Sequence, residues 1–100
     1  MIKLVLVGYV KNNRFYVMCL NTDILVVADS FEEAKRKMVD ALISYFDTFN
    51  HEEILAGKYK RNAPAKFWIK YYLAAIKFSI INFSRLNAEY DINGDHLSFA

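Results

Sequence analysis

Residues Ile2 to Val10 hold one charge, Lys3, in an otherwise apolar stretch rich in β-branched side chains, which predicts a strand. Lys11-Asn12-Asn13 is a turn signal, because asparagine tolerates the left-handed backbone of a tight hairpin. Arg14 to Leu20 reads as the returning strand, Asn21-Thr22-Asp23 as a second turn, and the apolar run Ile24 to Ala28 as a short buried strand. The chain thus opens as a three-stranded antiparallel meander.

Periodicity then changes from two to three-and-four. Phe31, Ala34, Met38, Ala41, Leu42, Tyr45 and Phe49 form one apolar stripe, predicting a helix to about Phe49 that packs on the meander. Ser30-Phe31-Glu32-Glu33 has the spacing of a capping box, and Glu32–Arg36 and Glu33–Lys37 are spaced as i,i+4 pairs. His51 to Ala56 reads as a short helical turn ending at Gly57, and Lys58 to Ala63 as a loop. A second helix starts near Ala63, with Asn62 as its cap and Pro64 in its first turn. Its end falls between Phe78 and Phe83; alternatively Ser79 to Leu86 is a strand joining the sheet. Asn93-Gly94, between Tyr90 and Ile92 on one arm and Leu97 and Phe99 on the other, predicts a C-terminal hairpin.

The expected fold class is therefore α+β: a three-stranded antiparallel meander packed on a helix, then an aromatic-rich helix and a C-terminal β-hairpin. One hundred residues form a single domain, with a core at 1–49 and an extension at 50–100. An apolar content of 55% excludes intrinsic disorder, and a net charge of +2 is too small to announce a nucleic-acid binder. One cysteine, Cys19, excludes an internal disulfide framework and a cysteine-based zinc site, and fits a reducing, cytoplasmic compartment. The most apolar window, Phe67 to Phe83, contains Lys70, Lys77 and Asn82. A lysine at the centre of a spanning helix costs about 2.5–3.5 kcal/mol, so no membrane segment is expected.

Candidate chemistry is sparse. His51 and His96 stand alone in polar stretches, without a nucleophile or orienting group at a productive spacing. Cys19 reads as a small apolar strand residue. Asp91 to Asp95 begins like a calcium loop, but His96 occupies the position that needs glycine. No glycine-rich phosphate loop is present, so neither a metal nor a cofactor is expected, and the chain reads as a non-enzyme. Asp23, Asp29 and Asp40 are the acids whose convergence in space would argue otherwise.

Two surfaces stand out. The second helix is apolar around most of its girth, which implies a second protomer or a partner chain, with Phe67, Trp68, Tyr71 and Tyr72 as interface anchors. Between Lys58 and Arg85 lie seven basic residues and no acidic one. Lys58, Lys60, Arg61, Lys66 and Lys70 are the candidate nucleic-acid contacts of that segment. The same residues also suit docking of an acidic partner, or the solvated edge of a buried helix.

The junction Val27-Ala28-Asp29-Ser30-Phe31-Glu32-Glu33-Ala34 resembles that of the HicB-like antitoxin family, in which a third strand runs into a Gly-Asp-Thr-Leu-Glu-Glu-Ala-like helix start. Phe15-Tyr16-Val17 fits the family's aromatic second strand, and Ala28 stands in place of the glycine. The resemblance covers about residues 1–49. It departs at Cys19 to Ile24, where members carry a proline- and glycine-containing segment, and in residues 50–100, which do not read as a helix-turn-helix or ribbon-helix-helix. It implies a partial ribonuclease-H-like βββα unit without catalytic carboxylates. It also implies homo-oligomers, and a small basic ribonuclease toxin as partner.

Overall fold

A computed structural model describes residues 2–76, 83–94 and 96–99, the side chains of residues 70, 72–76 and 83–85 excepted. The strands are β1 (Ile2–Lys11), β2 (Arg14–Cys19), β3 (Ile24–Ala28), β4 (Phe83–Asp91) and β5 (His96–Phe99). The helices are α1 (Phe31–Phe46), α2 (His51–Leu55) and α3 (Ala65–Ile76). The architecture is α+β, built on one five-stranded sheet in the order β3-β2-β1-β4-β5 with every neighbouring pair antiparallel.

The meander thus supplies three of the sheet's five strands. β1 is central, and its second edge pairs with β4 from Ile2↔Tyr90 to Tyr9↔Phe83. β4 and β5, both within residues 50–100, therefore complete the sheet. The β1–β2 turn carries Asn12 at φ 52° and Asn13 at φ 62°, the doubly left-handed geometry that a two-residue hairpin requires. Asp23 closes the next turn at φ 57°. The segment 79–82 of the alternative strand, and the end of the second helix beyond Ile76, lie outside the described residues.

The pleat sends alternate residues to opposite faces, and each face has its own helix. On one face Leu4, Leu6, Val17, Cys19, Ala28, Ala88, Tyr90 and Leu97 are buried with Ala34, Met38, Leu42 and Phe46 of α1. On the other, Val7, Met18 and Leu20 are buried with Ala63 and Tyr71, and Val5, Phe67 and Trp68 pack around them.

α1 begins as its sequence demands, with the Ser30 hydroxyl accepting from the Glu33 amide at 3.2 Å. The return half of the box is replaced by an ion pair, Glu33 with Lys37 at 3.7 Å. Glu32 pairs with Lys35 at 3.2 Å, one position short of the Arg36 expected from spacing. The reciprocal box belongs to α2: the Glu53 amide donates to the Asn50 side chain (2.8 Å) and the Asn50 amide to the Glu53 carboxylate (3.0 Å). α1 ends at Phe46, three residues before the predicted end, and Phe46 rather than Tyr45 or Phe49 is its fully buried aromatic.

Gly8 is buried beneath Phe31. A Cβ there would lie 2.6 Å from the Phe31 ring, so the missing side chain is what lets α1 seat its first turn on β1. Gly8→Ala is expected to cost about 1–3 kcal/mol by overpacking. Denaturant unfolding checks this, and Phe31→Leu in the same chain should recover part of the loss by making room.

Candidate interaction surface

α3 is positioned by its approach. The Arg61 amide donates to the Asn21 carbonyl (2.8 Å) and the Ala63 amide to the Leu20 carbonyl (2.9 Å), which ties the loop to the β2–β3 turn. Asn21 in turn accepts the Val5 amide on its side chain at 2.7 Å. The Phe67 amide then bonds the Pro64 carbonyl (2.9 Å), opening the helix just after the proline.

Tyr71, expected at an interface, is buried within the chain, and its hydroxyl lies 3.3 Å from the Asn87 side-chain oxygen on β4. Phe67 and Trp68 are half-buried against the same sheet face. The physical reason is the second sheet face, which the aromatic helix covers as an intramolecular layer. Tyr72 lies on α3 with its side chain outside the described residues. What α3 turns to solvent is Ile69, 57% exposed, beside the exposed Lys66. Ile69 was not among the sequence-predicted anchors. Its place three residues after Lys66, bordering the lysine stripe, is the signal that could have found it.

The basic candidates lie together along the chain at the start of this layer. Lys58, Lys60, Arg61 and Lys66 are all exposed, and the ion pairs among the described residues are formed by Arg14, Lys35 and Lys37 instead. The Lys66 ammonium sits 5.2 Å from the Phe67 ring centre. The Lys70 side chain is outside the described residues. Charge is segregated by layer: residues 29–56, which build α1 and α2, carry seven acidic and three basic residues, and the rest of the chain ten basic and four acidic.

The groups weighed for catalysis are scattered. Asp23 and Asp29 cap opposite ends of β3, about 20 Å apart by strand rise, too far to share an ion. Asp40 is exposed on α1, and His51 and His96 are both exposed. Among the described residues no three His, Cys, Asp or Glu side chains approach closely enough to hold a metal. No helix of the described residues is long and apolar enough to cross a membrane.

Cys19 is fully buried. Burial pushes its thiol up, partly opposed by the Thr22 hydroxyl and by backbone amides. Thr22 is also buried, and its Oγ1 makes no hydrogen bond of standard geometry among the described residues, the sulfur being a weak partner. Burial likewise raises Tyr9 and Tyr59. Acids with raised folded values stay protonated after the unfolded chain has lost its proton. Their contribution is therefore complete below the unfolded value and lost as pH rises through the folded one. Stability should fall from the ordinary thiol range upward, above about pH 8.5. Denaturant midpoints measured against pH check this, and Cys19→Ala should flatten the first part of the decline.

Comparison with family models, curated proteins and solved structures finds no match for this chain.

Proposed function

We propose that the chain is a non-catalytic protein-interaction module resembling a HicB-type antitoxin. It works in the cytoplasm, associates with copies of itself through the outer side of α3, and holds a small basic ribonuclease toxin. The observation that carries this reading is Ile69, a large apolar side chain 57% exposed on a helix whose described aromatics pack against the sheet. Beside it Phe67 and Trp68 keep part of their rings uncovered, the residue types that dominate interface energetics. The βββα order with Asp29 to Ala34 at its junction supports the family resemblance.

Ile69→Asp places a charge at the centre of that surface. It should weaken self-association at least about tenfold. Far-ultraviolet circular dichroism should not change, since the side chain is not part of either core. Sedimentation equilibrium of both proteins checks this; identical association constants would remove α3 from the interface.

A second reading is favoured by the charge segregation: a nucleic-acid-binding regulator using Lys58, Lys60, Arg61, Lys66 and Lys70. Each phosphate contact contributes about 0.9 to the slope of log affinity against log salt for duplex DNA. Five contacts predict a slope near −4.5, by about 0.9 each. Fluorescence anisotropy with duplex and single-stranded oligonucleotides across a salt series measures it. No binding at low salt would eliminate this reading.

A further inference from the structure

The outer edge of β3 is chemically unfinished. The two-residue turn at Asn12-Asn13 closes on Lys11 and Arg14, so hydrogen-bonded β1–β2 pairs recur at Tyr9·Tyr16 and Val7·Met18. Phe15, Val17 and Cys19 therefore turn their backbone groups toward β3, opposite Ala28, Val26 and Ile24. Leu25 and Val27 are left with their N–H and C=O groups directed outward. An independent contact agrees: the Val27 carbonyl accepts a hydrogen bond from the Lys37 ammonium at 3.1 Å. Among the described residues no strand pairs with this edge.

Sheet edges are usually blunted by charge, proline or a bulge within the strand. Ile24-Leu25-Val26-Val27-Ala28 has none of these, and Leu25 is 46% exposed. The protection comes from outside the strand. Lys37, half-exposed and paired with Glu33, supplies one donor where an added strand would supply a backbone N–H. The ends of the edge are acidic: Asp23 and Asp29 are both exposed, and Arg14 meets Asp29 only loosely, at 3.7 Å.

We propose that the edge of β3 is a strand-addition site for an extended segment of a partner protein, apolar in its middle and basic at both ends. Main-chain hydrogen bonds to Leu25 and Val27 supply the pairing, and Asp23 and Asp29 select the charge. A second copy of this chain is the poorer occupant. A two-fold axis through Val26 would match Leu25 to Val27 of the other copy but set Asp23 against Asp29 at both ends, like charge on like. This inference rests on the interaction-module reading and names the partner's chemistry at a surface separate from Ile69.

The test uses the full chain and two capped peptides sharing the core Val-Thr-Val-Thr-Val, one with two lysines at each end and one with two glutamates. Amide exchange followed by NMR is expected to slow at Leu25 and Val27 with the lysine peptide, and the glutamate peptide should bind at least about tenfold more weakly. Lys37→Ala should strengthen lysine-peptide binding by vacating the Val27 carbonyl. Leu25→Pro removes an outward N–H without costing a ladder bond, so it should fold and lose the peptide. The proposal is overturned if neither peptide protects these amides, or if the two bind equally. It is also overturned if Leu25→Pro unfolds the sheet, or if the amides become protected with rising protein concentration alone, which would assign the edge to a second copy. Peptide binding that survives Ile69→Asp separates this site from the α3 surface, so either can fail without the other.

Discussion

Phe46→Ala is expected to remove about 3–5 kcal/mol of stability, the range for deleting a buried aromatic ring. Phe46 is 1% exposed and stacks on Tyr90 with centroids 4.2 Å apart at 12°. Tyr59 lies against it at 5.2 Å and Tyr45 at 6.0 Å. The ring therefore joins the end of α1 to β4 and to the loop before α3, and its loss opens a cavity that three elements would have to close together. A domain of this size holds only about 5–15 kcal/mol in all. At about 4–8 °C per kcal/mol, the melting midpoint should drop by more than about 12 °C. Tyr45→Phe is the matched control. It removes only the hydrogen bond to the Tyr59 carbonyl (2.8 Å) and should cost about 0.5–1.5 kcal/mol. A Phe46→Ala loss no larger than that of the control would mean this cluster is not a centre of packing.

Tyr71→Ala should be nearly as costly, about 3 kcal/mol or more by the same cavity argument, with a different signature. Tyr71 is the most buried described aromatic of α3 and packs with Val7, Met18, Leu20 and Ala63 on the face away from α1. Truncating it should release α3 while leaving the α1 face assembled. Amide exchange should therefore accelerate across Ala65–Ile76 far more than in α1 or β2. Tyr71→Phe keeps the ring and gives up the hydroxyl that lies 3.3 Å from Asn87, so it should lose far less than Tyr71→Ala. Uniform acceleration throughout the chain would show instead that both helical layers unfold as one cooperative unit.

The N-terminal half was legible because its signals are local. Runs of β-branched, apolar and aromatic residues mark β1 and β2, asparagines at positive φ mark the hairpin, and Ser30 marks the start of α1. Phe46 was missed because the stripe was continued through Tyr45 and Phe49. The i+4 step from Leu42 leads to Phe46, and only the position of Tyr90 decides between the two rows. The pairing of β4 with β1 was open in the sequence, since strand order depends on contacts some eighty residues apart. The inward seat of Tyr71 was hidden for a related reason. A sheet has two faces, and nothing local to Val5, Val7 and Met18 distinguishes strand residues that a helix covers from those that face solvent. Once Tyr71 is committed inward, the candidate surface contracts to Ile69 and the partly covered Phe67 and Trp68. The edge of β3 was invisible at the level of composition, because which backbone groups point outward depends on register alone.

Whether α3 presents a working interface is tested most directly by light scattering of the purified chain beside Ile69→Asp at micromolar concentration. Wild type at twice or more its 11.7 kDa chain mass, with the variant at one chain mass and unchanged circular dichroism, is the predicted result. A wild-type chain that stays at one chain mass and retains no stable partner on native capture from its host would contradict the account.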